Sequence, residues 1–138
     1  MTTDGPGHDG SRFYGAVVRV ADLAACRTFY AETLGLGPPV VNTSFWVEFQ
    51  VVPGQMVLTL YHDPAAKARA KAGPANVMWC WQPQDTEATL RRLQDRGVVV
   101  LQRLSLPSGG EALLFADPEG NAFLLLDRGP KPLDPAAT

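Results

Sequence analysis

The sequence predicts an α+β fold in which two βαβββ modules form a curved mixed sheet with the helices on its convex face. The first observation is an internal repeat. A strand, a helix and further strands follow one another twice, and the division lies near residues 73–74. The second observation is size, since modules of roughly 50 residues cannot bury both faces of their own sheets. The modules should therefore pack together and leave one sheet face concave.

The first module begins with a strand-forming segment, residues 13–20, followed by a capped helix. Asp22 stands where an N-cap side chain would accept a backbone N–H from the first helical turn. Apolar side chains follow at helical spacing: Leu23, Cys26, Tyr30 and Leu34. Gly35 can adopt the left-handed conformation that ends a helix. Strands are then predicted at residues 45–52 and 56–61, with a Pro-Gly-Gln turn between them.

The second module repeats this order. Residues 77–82 form the predicted strand, Asp85 caps the helix and Gly97 ends it. The capping Asp and the terminating Gly are 12 residues apart here and 13 residues apart in the first module. Three strands are predicted after this helix, at residues 98–104, 112–115 and 122–126.

The repeat also predicts how the chain is divided. We expect one domain at residues 13–128, made of module one (13–62), a linker (63–75) and module two (76–128). The linker is rich in Ala and Lys, which suits a short exposed helix or a mobile arm. Two polar tails, residues 1–12 and 129–138, are expected to be disordered.

Composition argues against several classes of function. The 138 residues suit one domain, and a net charge of -2 without a basic stripe argues against nucleic acid as a partner. No stretch approaches the roughly 18 apolar residues that span a bilayer, and the first residues lack an apolar signal segment. We therefore expect a cytoplasmic protein that does not bind membranes.

The two cysteines do not indicate a zinc or redox motif. Cys26 and Cys80 lie far apart in apolar patterns, without a CxxC pair or a neighbouring His. We interpret both as reduced core residues.

Two motifs stand at corresponding points of the predicted fold. Val-Ala-Asp-Leu at residues 20–23 leads to Phe-Tyr at 29–30 and Leu-Gly at 34–35, and Phe-Ala-Asp-Pro-Glu-Gly-Asn at 115–121 precedes the last strand. With the repeat, these motifs resemble the vicinal oxygen chelate superfamily, which includes glyoxalase I, extradiol dioxygenases, fosfomycin-resistance enzymes and bleomycin-resistance proteins. The resemblance covers residues 13–128 and implies the same two-module fold.

The resemblance also indicates where a metal site would lie. In metal-dependent members, His or Glu side chains from four strands hold a divalent ion on the concave face. Counting along the chain places these positions at Gly15, Leu58, Met78 and Leu124. None of these residues carries the imidazole or carboxylate donor that such ions need. We therefore predict no metal, no cofactor and no catalytic residue.

Strand alternation predicts which side chains line the concave face. The candidate ligand-binding residues are Val17, Arg19, Trp46, Glu48, Gln50, Leu58, Leu60, His62, Met78, Cys80, Gln82, Leu124 and Leu126. Most are apolar, as is typical of small-molecule pockets. The residues at the alternate positions of these strands should lie beneath the helices: Val18, Val20, Trp79, Trp81, Phe123 and Leu125.

A few of these candidates have more specific predicted roles. Trp46 would stack on a ligand, and His62 would offer a hydrogen bond at the rim. Arg19, Glu48 and Gln82 would orient the ligand, Arg19 by pairing with a carboxylate or phenolate or by stacking on a planar ring.

These residues predict a metal-free protein that sequesters a hydrophobic, aromatic metabolite or antibiotic. The resemblance to bleomycin-resistance proteins implies a homodimer with two equivalent sites and no turnover. One alternative is an enzyme of the same fold: a lyase or oxygenase with displaced metal ligands, or a metal-free isomerase that uses Arg19, Glu48 or His62. Another is an accessory subunit whose concave face buries a partner protein.

Overall fold

The computed structural model describes residues 14–66, 78–107 and 109–128. The first module contains β1 (Gly15–Val20), α1 (Leu23–Thr28) with a π-helical continuation (Phe29–Thr33), β2 (Val41–Asn42), β3 (Trp46–Val52) and β4 (Met56–His62). The second module contains β5 (Trp79–Trp81), α2 (Thr86–Asp95), β6 (Gln102–Ser105), β7 (Glu111–Ala116) and β8 (Ala122–Asp127). This order confirms the α+β class and the two βαβββ modules. The predicted tails, and residues 67–75 of the predicted linker, lie outside the described residues.

Each module forms its own four-stranded mixed sheet. The strand orders are β1-β4-β3-β2 and β5-β8-β7-β6. The first strand of each sheet runs parallel to the last one, and the other pairings are antiparallel. The two sheets therefore share one topology, which is the structural form of the internal repeat. Within the described residues, no helix is long and apolar enough to cross a bilayer.

Both helices begin as the capping pattern predicts. The Asp22 side chain accepts the Ala25 N–H at 3.0 Å, and the Asp85 side chain accepts the Ala88 N–H at 3.0 Å. The first helix widens into π-helical turns, in which the Leu34 N–H reaches the carbonyl five residues earlier. The π-helical continuation was not predicted, because the spacing of the apolar side chains also fits an ordinary α-helix.

One hydrophobic core joins the two modules. The buried Tyr30 ring lies 6.4 Å from Phe49 of the first sheet, and 6.3 and 6.5 Å from Trp79 and Phe123 of the second, between ring centroids. The residues predicted beneath the helices belong to this core or pack against it: Val18, Val20, Trp79, Trp81, Phe123 and Leu125. The helices therefore cover one face of each sheet, as predicted.

The β7–β8 turn of the second module contacts the start of the first helix. The Glu119 carboxylate accepts the backbone N–H of Ala21 at 2.7 Å and also accepts the N–H of Asp22. The Cys26 thiol lies beside the same carboxylate at 3.8 Å. These hydrogen bonds satisfy backbone donors that the start of a helix leaves without partners. The two sequence motifs therefore meet in space and hold the modules together.

Asp117 and Tyr30 form a second contact between the modules. The Tyr30 hydroxyl donates to the Asp117 carboxylate at 2.9 Å, and both residues are buried. Burial raises the pKa of Asp117, although hydrogen bonds from Asn121, Tyr30 and the Glu119 N–H act in the opposite direction. Burial, together with the nearby Asp117 charge, also raises the pKa of Tyr30 well above its usual value.

Candidate functional site

The face of the first sheet away from the helices carries three rows of side chains. Cross-strand pairing sets the rows as Trp46–Tyr61–Arg19, Glu48–Thr59–Val17 and Gln50–Val57–Gly15. Paired residues project on the same side of a sheet. We call this surface the concave face of the first sheet. Five predicted site residues therefore share one face: Val17, Arg19, Trp46, Glu48 and Gln50.

The predicted facing of β4 is wrong. Leu60 pairs with Val18 and Val47 and is 0% exposed, and Leu58 is 1% exposed on the same helix-covered side. The predicted facing of Leu58 and Leu60 came from counting metal-ligand positions by resemblance. The local alternation of leucine with Thr59 and Tyr61 instead indicates that the leucines face the core. A register shift between Gln50 and Val52 accompanies the β3–β4 turn.

The structure places one further predicted residue away from the concave face and leaves the direction of another open. His62 pairs with Val20, so it lies on the helix-covered side at the end of β4 and does not reach the concave face. Gln82 is exposed but lies beyond β5, where strand alternation no longer fixes its direction.

The cysteines occupy different environments. Both thiols are free, and Cys26 is buried as predicted. Cys80 is exposed, so the interpretation of Cys80 as a core residue is wrong. Burial, with Asp117 and Glu119 nearby, raises the pKa of Cys26, and burial also raises the pKa of Cys80. Neither thiol has the lowered pKa of a reactive cysteine.

A group of side chains in mutual contact lies on the concave face of the first sheet, and we call it the Glu48 cluster: Tyr14, Trp46, Glu48 and Tyr61. The Trp46 indole N–H donates to Glu48 Oε2 at 2.7 Å, and the Tyr14 hydroxyl donates to Glu48 Oε1 at 3.2 Å. The Tyr61 ring meets the Trp46 ring edge to face at 6.1 Å. Trp46 and Glu48 were predicted site residues, whereas Tyr14 and Tyr61 were missed.

The corresponding face of the second sheet is mainly apolar, although Gln102 of β6 pairs with Leu114 on it. Cys80 pairs with Leu124, Leu124 pairs with Leu114, and Leu126 pairs with Ala112. Leu124 and Leu126 therefore project on the side opposite the helices, as predicted.

An apolar cavity of about 270 Å³ lies where the two modules meet. Met56, Val57 and Leu58 line it from β4, while Met78, Trp79 and Cys80 line it from β5 and the residue before it. Three predicted site residues, Leu58, Met78 and Cys80, are therefore brought together here. Trp79 was assigned to the core and was missed as a lining residue.

A larger hollow of about 440 Å³ lies elsewhere, between α2 and the second sheet. Val98, Val99, Arg103 and Asp127 contribute to its lining. No predicted site residue lines it, and its lining is more polar. The smaller apolar cavity is therefore the better candidate for a hydrophobic ligand.

The residues at the counted metal positions do not fit a divalent ion. Gly15 has no room for a side chain, because an added Cβ would collide with the Val57 carbonyl. The concave face of β4 offers Val57 and Thr59 near this position, and the second sheet offers a thioether at Met78 and an aliphatic Leu124. Across the described ranges, no group of three or more His, Cys, Asp or Glu side chains could hold a metal ion.

Comparison with known proteins identifies a family. The family model of the Glyoxalase/Bleomycin resistance protein/Dioxygenase superfamily matches residues 13–125. A comparison with curated proteins found no match.

Solved structures support the same fold. A lactoylglutathione lyase from Agrobacterium tumefaciens is 24% identical with a TM-score of 0.63, and the match covers 86% of this chain and 94% of that one. An antibiotic binding protein from Streptomyces sp. CB03234 is 24% identical with a TM-score of 0.65, covering 88% of this chain and 100% of that one. A glyoxalase/bleomycin resistance protein from Catenulispora acidiphila DSM 44928 is 22% identical with a TM-score of 0.64, covering 84% and 97%. At these identities the structures show a common fold.

Proposed function

Because the chain belongs to the glyoxalase/bleomycin resistance protein/dioxygenase superfamily, we propose that it is a metal-free member that sequesters a hydrophobic, aromatic metabolite or antibiotic. The observation that carries the proposal is the apolar cavity of about 270 Å³ between the modules. A cavity of about 150 Å³ lined by aliphatic and aromatic side chains holds one benzene molecule. The larger volume therefore suits a ligand with a bicyclic aromatic body.

The side chains around the cavity favour binding over catalysis. The counted metal positions lack donors, and Cys80 at the cavity wall has a raised pKa rather than a lowered one. The alternative of a metal-free isomerase would need Arg19, Glu48 or His62 as its catalytic group. His62 lies on the helix-covered side, and Arg19 pairs with Asp63 at 3.9 Å. The Glu48 carboxylate already accepts hydrogen bonds from Trp46 and Tyr14.

Homodimerisation and a cytoplasmic location are further parts of this proposal. Exposed apolar side chains support a second copy as partner, because Val17 and Tyr61 are 57% and 39% exposed on the first sheet. The structural similarity to an antibiotic binding protein supports antibiotics as one class of ligand to test.

A ligand screen with a cavity-filling variant tests the proposal. A panel of planar hydrophobic compounds is added to the protein, and the melting temperature and tryptophan fluorescence are measured. Binding should raise the melting temperature and change the fluorescence of Trp79, which lines the cavity. Cys80→Phe should fill the cavity and weaken binding at least about tenfold.

Val99→Phe is the matched control, since Val99 is 66% exposed and lines the other hollow. It should leave ligand affinity unchanged. The proposal is wrong if no compound of the panel binds, or if Cys80→Phe and Val99→Phe bind ligand equally well.

A further inference from the structure

The Glu48 carboxylate is held in a fixed orientation by two neutral donors. The Trp46 indole N–H reaches one oxygen at 2.7 Å and the Tyr14 hydroxyl reaches the other at 3.2 Å. A carboxylate has about four acceptor positions, so these two hydrogen bonds leave acceptor capacity on both oxygens. The two donors therefore position the carboxylate for a third partner.

Within the part of the chain that the structure describes, no basic side chain on the concave face of the first sheet pairs with Glu48. Arg19, the other charged side chain in the three rows, lies in the next row and forms an ion pair with Asp63 at 3.9 Å. The remaining side chains of the three rows are uncharged. On the corresponding face of the second sheet the paired residues are apolar except Gln102, and the nearest charge to Cys80 there is that of Arg128. On the concave face of the first sheet, a ligand near Glu48 therefore meets a negative group between aromatic and aliphatic side chains.

Aromatic rings flank the same position. Trp46 and Tyr61 lie edge to face at 6.1 Å, and Tyr61 and Tyr14 are 39% and 56% exposed. Aromatic faces attract cations, and the attraction adds to that of a nearby carboxylate. The combination of one oriented carboxylate with three rings is suited to a protonated amine.

From this arrangement we infer that the ligand of the apolar cavity carries a protonated amine, which the Glu48 cluster binds. This inference rests on the proposed function. Val57 lines the cavity and lies one row from Glu48 on the same face. Rows on one face are two residues apart along a strand, or about 7 Å. The amine should therefore stand about 7 Å from the aromatic body.

Three matched probes test the charge requirement on the full chain: a naphthylpropylamine, its neutral N-acetyl derivative and a naphthylbutyrate of similar length. Affinities are measured at neutral pH by calorimetry or ligand-observed NMR. The amine should bind the native protein about tenfold more tightly than the neutral probe. Glu48→Gln should abolish this preference, so that the amine and the neutral probe bind the variant with equal affinity.

Glu87→Gln is the matched control, because it makes the same change at an α2 side chain that is 86% exposed. It should keep the full preference for the amine. Equal binding of the amine and the neutral probe, a preference retained by Glu48→Gln, or tightest binding of the carboxylate would overturn the inference and leave the proposed function standing. Failure of all three probes to bind would contradict both.

Discussion

Asp117 is a buried acidic side chain whose pKa is raised chiefly by burial. Below the unfolded-state pKa of about 3.9, both states are protonated. Between that value and the raised pKa, the folded state keeps a proton that the unfolded state has lost. The contribution of Asp117 to stability is therefore full at low pH and declines as the pH rises through this window.

We predict that Asp117→Asn removes this pH dependence. Asn keeps an acceptor for the Tyr30 hydroxyl but cannot ionise. The free energy of unfolding of the native protein should fall relative to the variant as pH rises, by about 1.4 kcal/mol for each unit of pKa shift. Urea denaturation at several pH values measures this. Parallel pH profiles for the two proteins would contradict the assignment.

At the level of single residues, part of the site could be predicted from the sequence. Strand alternation correctly placed Val17, Trp46 and Glu48 on one face. The hydrogen bonds that orient Glu48 could not be predicted, because Tyr14 meets Glu48 across the sheet, 34 residues away along the chain. Whether these residues bind a ligand stays a prediction.

Strand β4 shows how an element can be located correctly and given the wrong facing. Its bounds were predicted to within one residue, but the count by resemblance placed Leu58 and Leu60 on the concave face. A shift of one residue reverses every side chain of a strand. The alternation of leucine with Thr59 and Tyr61 carried the correct signal. The two-residue β2 gave no comparable signal because it is too short for an alternating pattern.

We predict a large loss of stability for one substitution in β4 and a small loss for the substitution next to it. Leu60→Ala should lower the free energy of unfolding by about 2–5 kcal/mol, because it leaves a cavity in the core. Tyr61→Ala should cost at most about 1 kcal/mol, since its 39% exposed ring lies on the concave face. Chemical denaturation of both variants compares them directly. A larger loss for Tyr61→Ala than for Leu60→Ala would restore the facing predicted from resemblance.

At the scale of the whole molecule, the repeat predicted the two-module architecture because both halves carry the same caps, terminating glycines and strand order. The contacts that join the modules were harder to predict. Asp117, Glu119 and Asn121 are also ordinary turn residues, and their partners Tyr30, Ala21 and Arg19 belong to the other module.

The proposed homodimer predicts a particle of twice the 14.9 kDa of one chain. Exposed apolar side chains such as Val17 and Leu104 would be buried in such an assembly. Sedimentation velocity over a range of protein concentrations measures the mass. A single-chain mass at the highest concentrations would contradict the dimer without affecting the cavity.

Metal content tests the central claim, metal-free binding, most directly. The protein should be purified without chelators, incubated with zinc, iron, nickel or manganese, freed of excess ion and measured by elemental analysis. Because Gly15, Met78 and Leu124 offer no suitable donors, we predict only substoichiometric metal in every case. One tightly bound ion per chain would contradict the account and identify this chain as a metal-dependent member of its superfamily.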